Sequence, residues 1–151
     1  MRILNIQHDG EPRRIATYLE VEEVEKLQGI PPQAVIGVLD GSGSLQVNAL
    51  FREFLHETIG LVAPLDLDMQ SAAKAHRDGR LVYVDSRVPE DLHPVPNEDI
   101  LGWFQVRAGR IIEGSYLSNP DHAIEGANGV TAALGGMRLA MVNALVSRQP
   151  G

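Results

Sequence analysis

The stretch that decides the fold class is ILGWFQVRAGRIIEGSYL, residues 100–117. Its two apolar runs, 100–107 and 110–117, flank the pair Ala108-Gly109. A turn this short joins strands that run antiparallel, so the sequence predicts a hairpin here. A second hairpin pattern opens the chain, and helical patterns stand between the two. This order predicts an α+β fold with an antiparallel or mixed sheet and helices packed on it.

Hydrophobic spacing outlines the other elements. Apolar residues cluster at 3–6, and the run 15–21 alternates apolar and polar residues, which predicts the two strands of the opening hairpin. Apolar residues then recur every three or four positions over 47–58, which predicts an amphipathic helix. Gly60 is expected to end that helix, because glycine commonly follows the last helical residue.

A further helix is predicted after the first. It begins with Asp66 or Asp68 as N-cap and ends at Gly79. Its inner face carries His76, which is expected to be a buried imidazole satisfied by a backbone carbonyl. His56, on the side of the preceding helix opposite its apolar stripe, is expected to face solvent.

Composition limits the class of protein. The chain has 151 residues and is 44% apolar, as expected of one globular domain, residues 1–151. Thirteen basic and twenty acidic side chains give a net charge of -7, which disfavours nucleic acids and anionic membranes as partners. The absence of cysteine excludes disulfides and thiolate metal sites. No run approaches a membrane span and no signal-peptide pattern is seen, so a cytoplasmic protein is expected.

Polar side chains follow two of the predicted strands. Asp85, Arg87 and His93 come after the apolar run 81–84, and Asp121 and His122 come after the hairpin. If those strands are neighbours, a carboxylate and an imidazole could meet and serve as acid and base, with Arg87 binding an anion. The alternative is a surface ion pair and a turn. No fixed spacing typical of catalytic or metal-binding motifs connects these residues.

Residues 86–99 form a long connection with three prolines. Loops of this length without secondary structure are often lids or binding loops. Glu90, Asp91, Glu98 and Asp99 make it acidic, which suits a basic partner protein, although a solvated loop explains the same composition.

The segment Gly41-Ser42-Gly43-Ser44 follows a predicted strand and precedes a helix, as anion-binding loops do. It has neither the third glycine of a dinucleotide-binding loop nor the Gly-Lys-Ser/Thr of a P-loop. The alternative is a hairpin turn at Asp40-Gly41.

Two surfaces suggest association. The hairpin is apolar on both faces, with Trp103 and Tyr116 expected to share one face and to line a ligand or partner site. The terminal helix, predicted over 137–147, is apolar almost all round, which predicts a homodimer through residues such as Leu139, Val142 and Val146.

The function predicted from these observations is a non-enzymatic protein-interaction module that acts as a homodimer. The alternative is a small-molecule-binding protein or an acid/base enzyme with its pocket at the strand ends near Asp85, Arg87, His93 and His122. No cofactor or metal is expected, because no recognised binding motif is present.

Overall fold

The structure, a computed structural model, describes residues 1–8 and 10–148, and of His8 only the backbone. The fold is α+β, as predicted, with four α-helices and antiparallel sheets among these residues. The chain divides into two compact units. Unit 1 comprises Met1–Leu55 together with the residues from Gly136 onward, and unit 2 comprises His56–Gly135. The expectation of a single domain stays a prediction.

Unit 1 contains a four-stranded antiparallel sheet in the order of the chain. The opening hairpin is confirmed, although Asp9 lies outside the described residues. A bulge between Ala16 and Thr17 shifts the pairing of the second strand with the third. The strands are β1 (Arg2–His8), β2 (Glu11–Thr17), β3 (Val35–Leu39) and β4 (Leu45–Val47).

Unit 2 contains a second antiparallel sheet, with the strand β6 (Ile100–Arg107) at its centre. The turn at Ala108-Gly109 is confirmed, but the strand after it is interrupted. Gly114 adopts a positive φ of 74°, and the Gln105 N–H donates to Ser115 Oγ (3.0 Å) in place of a ladder bond. The strands are β5 (Gly79–Val84), β6 (Ile100–Arg107), β7 (Arg110–Ile111) and β8 (Leu117–Ser118), with a separate pair β9 (Glu125–Gly126) and β10 (Gly129–Val130).

The helices are α1 (Val21–Leu27), α2 (Ala49–Val62), α3 (Leu67–His76) and α4 (Ala133–Ser147). α2 continues past Gly60, so the predicted end there is wrong. α3 starts as predicted, because the Asp66 side chain accepts from the Asp68 N–H (3.2 Å). It stops at His76, since Arg77 takes a left-handed φ of 75°. α4 starts four residues before the predicted Met137, where Thr131 Oγ1 accepts from the Ala133 N–H (3.2 Å).

Burial reverses the expectation for two histidines. His56 is buried although it was predicted to face solvent, and His76 is exposed although it was predicted to lie inside. The buried arc of α2 is wider than its apolar stripe, because the aromatic ring of Tyr116 stacks on His56 from the side. α3 buries only its central residues, Met69 and Ala73, and its last turn stays open to solvent.

Candidate functional site

Three of the five predicted strand-end residues come together in unit 2. Asp85 directly follows β5, and His122 Nε2 lies 3.0 Å from its Oδ2. Arg87 Nε lies 3.7 Å from the same oxygen. The side chains of Asp85 and His122 are completely buried, and that of Arg87 is almost so. The carboxylate and imidazole anticipated from the sequence are therefore neighbours, inside the protein rather than at its surface.

Asp85 is an ionised carboxylate with all of its acceptor capacity used internally. Burial by itself would raise its pKa, but hydrogen bonds from His122, the Thr131 hydroxyl and the Ala132 and Arg87 backbone N–H groups outweigh this effect. They lower its pKa to about 2. Oδ1 accepts the N–H of Ala132 (2.9 Å) and of Arg87 (3.3 Å), while Oδ2 accepts from His122 and Thr131. Because the carboxylate is ionised, the hydrogen bond requires that His122 Nε2 carry the proton.

Arg87 joins the loops around it. All five N–H groups of its guanidinium are used, so an incoming anion would have to displace one of the existing acceptors. Nε donates to Asp99 Oδ1 (2.7 Å), Nη1 donates to the carbonyls of Ile124 (3.2 Å) and Gly129 (2.7 Å), and Nη2 donates to those of Glu98 (2.9 Å) and Ala123 (2.7 Å).

The four acids of the 86–99 connection do not share one surface. Asp99 is completely buried, pairs with Arg87 and accepts from Asn128 Nδ2 (2.8 Å). Glu98 Oε1 accepts the N–H of Ala127 (3.1 Å). Glu90 and Asp91 are exposed. Of the predicted acidic patch, Asp99 is thus directed into the polar interior of unit 2, and Glu98 is half-buried.

His93 and Asp121 are exposed, unlike the buried Asp85–His122 pair. His93 lines a cavity of about 340 Å³ to which Asp85, Val84 and Val95 also contribute. Asp121 is exposed and accepts from Asn97 Nδ2 (3.0 Å). Asn119, which was not among the predicted site residues, is buried and donates from Nδ2 to the carbonyls of Asn97 and Ile100, each at 2.9 Å.

Tyr116 occupies a slot between two glycines. A Cβ added to Gly102 on β6 would lie 2.6 Å from the Tyr116 ring, and one added to Gly60 on α2 would lie 3.3 Å from its Cβ. The Tyr116 hydroxyl lies 2.7 Å from His56 Nδ1 and 3.1 Å from the Leu101 carbonyl oxygen. Burial raises the pKa of Tyr116 above its usual range, so the phenol is neutral. In the sequence, the one signal for this slot was Gly60, a glycine beside a strong helical pattern.

The two polar groups of unit 2 meet through their histidines. The ring of His56 lies 6.1 Å from that of His122, measured between centroids, with the planes near perpendicular. A continuous set of aromatic and ionisable side chains therefore extends from Tyr116 through His56 and His122 to Asp85.

A groove opens beside Tyr116, formed by two adjoining cavities of about 590 and 340 Å³. Pro64 and Ile111 line both cavities, so the two adjoin. The larger one carries Leu61 and Leu65, which are 70% and 73% exposed, together with His56, Tyr116, Glu57 and Glu113. The smaller one carries Lys74 and Arg110. We call this feature the unit 2 groove.

Trp103 and Tyr116 do not share a face. Trp103 pairs with Val82 on one side and with Leu117 on the other, and Arg80 lies 4.8 Å over its ring. Tyr116 instead packs over Gly102. Because Gly102 and Trp103 are consecutive residues of β6, they face opposite sides of the sheet. The prediction that Trp103 and Tyr116 share one face is wrong. After β7 the chain moves away from β6 and returns to it as β8, and Tyr116 lies in the segment between these two strands.

The glycine- and serine-rich segment is a hairpin turn between β3 and β4, which was the alternative to an anion site. Asp40 Oδ1 accepts the N–H groups of Ser42 (2.8 Å) and Ser44 (3.0 Å) and the Ser42 hydroxyl (2.6 Å). Gly43 N–H donates to the Asp40 carbonyl, and Gly41 completes the turn. The amides that could bind an anion are directed to the chain's own carboxylate.

On α4, the residues proposed for a dimer differ in exposure. Leu139 is 67% exposed, Val142 is buried within the chain and Val146 is half-buried. Burial within a single chain removes Val142 from any surface that a second subunit could reach.

Within residues 1–8 and 10–148, no three His, Asp or Glu side chains are grouped as metal ligands, and no helix is long and apolar enough to cross a membrane. Comparisons with protein-family models, with curated proteins and with solved structures find no match to this chain.

Proposed function

We propose that the chain is a non-enzymatic protein-interaction module that binds an extended, largely apolar segment of a partner protein in the unit 2 groove. The observation that carries the proposal is the pair Leu61 and Leu65, two leucines more than two-thirds exposed on a concave surface. Soluble proteins seldom leave neighbouring large apolar side chains exposed unless the surface binds something.

Charge supports a particular kind of segment. Glu57 and Glu113 line one cavity of the groove, whereas Lys74 and Arg110 line the other, and all four are exposed. A segment with a basic residue at one end, an apolar middle and an acidic residue at the other end matches this distribution. The basic partner expected from the acidic 86–99 connection is thereby replaced by a segment of mixed charge.

The floor of the groove supports binding without rearrangement. Tyr116 is fixed by contacts with Gly60 and Gly102 and by the short separation of its hydroxyl from His56. A side chain held in this way loses little conformational entropy when a ligand covers it. The proposal also includes a homodimer, supported by exposed apolar residues such as Leu139, and a cytoplasmic location.

A displayed library of random peptides tests the groove. We expect wild-type protein to enrich peptides with an apolar middle between oppositely charged ends. Leu65→Asp should weaken the binding of enriched peptides by at least about tenfold, since it places a charge in the apolar wall. Leu67→Asp is the matched control, because Leu67 is 75% exposed but lies outside the groove lining. Peptides that bind Leu65→Asp as well as wild type would overturn the proposal.

A second candidate is a small-molecule or acid/base site beside Tyr116 rather than at the predicted position near Asp85, and it is favoured by one observation. His56 and Tyr116, a possible proton donor and acceptor, stand 2.7 Å apart in the wall of the same groove. Native mass spectrometry of the protein as purified separates the two candidates. A stoichiometric organic adduct that Tyr116→Phe loses would support the small-molecule site, and an adduct-free spectrum would leave the peptide groove as the preferred function.

A further inference from the structure

β1 forms one edge of the unit 1 sheet, and among the described residues it pairs with β2 alone. It is seven residues long. The strands of a sheet carry N–H and C=O groups on both edges, so a strand that pairs on one side only presents a row of these groups to a partner.

The pairing register identifies which groups those are. Gln7 lies opposite Pro12, which has no N–H, so this pair cannot exchange the two hydrogen bonds of a bonded pair. Bonded and non-bonded pairs alternate along antiparallel strands. The even-numbered residues of β1 therefore bond to β2, and the N–H and C=O groups of Ile3, Asn5 and Gln7 point away from the sheet.

The middle of this edge lacks the usual protections against pairing. Residues 3–7 read ILNIQ, without charge, proline or glycine, and the pairing of β1 with β2 shows no bulge. Arg2, at the start of β1, is the one Lys, Arg, Asp or Glu residue of the strand. Ile3 is 46% exposed. Natural edge strands normally carry a lysine, a proline or a bulge that prevents the addition of a further strand.

We propose that β1 pairs antiparallel with β1 of a second copy of this chain, about a two-fold axis at Asn5. In this register Asn5 faces Asn5 of the second copy, and Ile3 faces Gln7. Each of these three residues contributes one donor and one acceptor, so all outward groups of both strands are satisfied by six hydrogen bonds. Both four-stranded sheets then become one sheet of eight strands.

A second copy fits this edge better than an unrelated strand would. The same register sets Leu4 opposite Ile6 of the other copy, which continues an apolar sheet face. That face already lines an open cavity of about 740 Å³ with Ile6, Ile15 and Val38. Although each chain carries a net charge of -7, residues 3–7 bring no like charges together.

The natural absence of cysteine gives a direct test, because a single introduced cysteine can form a disulfide only between chains. Asn5→Cys places its Cα about 5.5 Å from that of the second copy, within the range for a disulfide. Gln7→Cys is the matched control, since it is exposed on the same strand but would lie about 13 Å from its counterpart. We expect Asn5→Cys to form the cross-linked dimer at least about tenfold faster than Gln7→Cys under mild oxidation.

Light scattering on wild-type protein accompanies the cross-linking. A dimer together with the preferential cross-link at residue 5 supports the inference. The inference rests on the homodimer of the proposed function and not on the groove. Cross-linking of Leu139→Cys distinguishes a failure of the β1 interface from a failure of the homodimer itself. A dimer that cross-links through Leu139→Cys but not Asn5→Cys overturns the β1 interface and keeps the homodimer. A monomer at all concentrations overturns both.

Discussion

Arg87 illustrates how a single side chain can join segments that are far apart in the chain. Its guanidinium binds one carboxylate and four carbonyl oxygens from residues 98–99 and 123–129. Those carbonyls belong to a short 3₁₀ helix, a loop and a two-residue strand, where few ladder partners are available, and a planar group with five donors satisfies them together. An ammonium group has three donors and cannot reproduce this arrangement.

At this residue we expect Arg87→Lys to lower the free energy of unfolding by about 2–4 kcal/mol, because buried acceptors lose their donors. Urea denaturation followed by circular dichroism measures the change. Arg107→Lys, at an exposed position of β6, serves as the control and should change stability by less than about 0.5 kcal/mol. Equal effects of the two substitutions would contradict the bridging role.

At the scale of the elements, α2 and β6 pack closely because each has a glycine, which lacks a side chain, where Tyr116 lies. Gly60 and Gly102 leave the space that Tyr116 fills, and a Cβ at Gly102 would also lie 2.4 Å from the carbonyl oxygen of Leu117. The contact at Gly102 involves backbone, which cannot move aside cheaply. A glycine that weakens each element locally thus allows the elements to pack closely.

We expect Gly102→Ala to destabilise the protein by at least about 2 kcal/mol, because overpacking forces the backbone of β8 away from β6. Gly136→Ala is the counterpart in α4, where an added methyl meets no described heavy atom within 4 Å. It should stabilise the protein by roughly 0.5–1 kcal/mol, through helix propensity and a less flexible unfolded chain. Thermal unfolding of both variants measures the loss of stability expected for Gly102→Ala and the gain expected for Gly136→Ala. A neutral Gly102→Ala would contradict the tight packing of α2 and β6.

Sequence periodicity predicted the elements where neighbours along the chain decide the structure. The opening hairpin, the turn at Ala108-Gly109 and the cap at Asp66 are of this kind. It failed at Gly60, whose place inside α2 depends on Tyr116, 56 residues further along the chain. It also failed at the excursion that carries Tyr116, since the periodicity of 110–117 does not reveal a loop that leaves the strand and returns.

For the whole chain, the sequence predicted which residues meet at the site but not the buried, hydrogen-bonded environment that surrounds them. The sequence indicated that Asp85, Arg87 and His122 could meet, because each follows a strand. It could not indicate that Thr131, Ala132 and the carbonyls around Arg87 would use up their hydrogen-bonding capacity. Those contacts join residues far apart in sequence, and their polarity alone is equally compatible with exposure to solvent.

The same buried carboxylate makes a prediction about the stability of the chain in acid. The pKa of Asp85 is lowered to about 2 from an ordinary value of 3.8, so its ionisation stabilises the fold above pH 4. That contribution, on the order of 2 kcal/mol, is lost as the pH falls from about 4 to 2. Urea unfolding at pH 6, 4 and 2.5 should show a shallower loss of stability for Asp85→Asn than for wild type. Parallel losses would contradict this assignment.

The division of the chain has a consequence for engineering. Unit 2 is continuous from His56 to Gly135, whereas the chain of unit 1 is interrupted by it, so that unit 2 has the topology of an insert. Both junctions fall within helices, one in α2 and one near the start of α4. Unit 2 therefore cannot be exchanged as a cassette at flexible linkers, and a graft into another scaffold would have to supply helical ends in phase with both cuts.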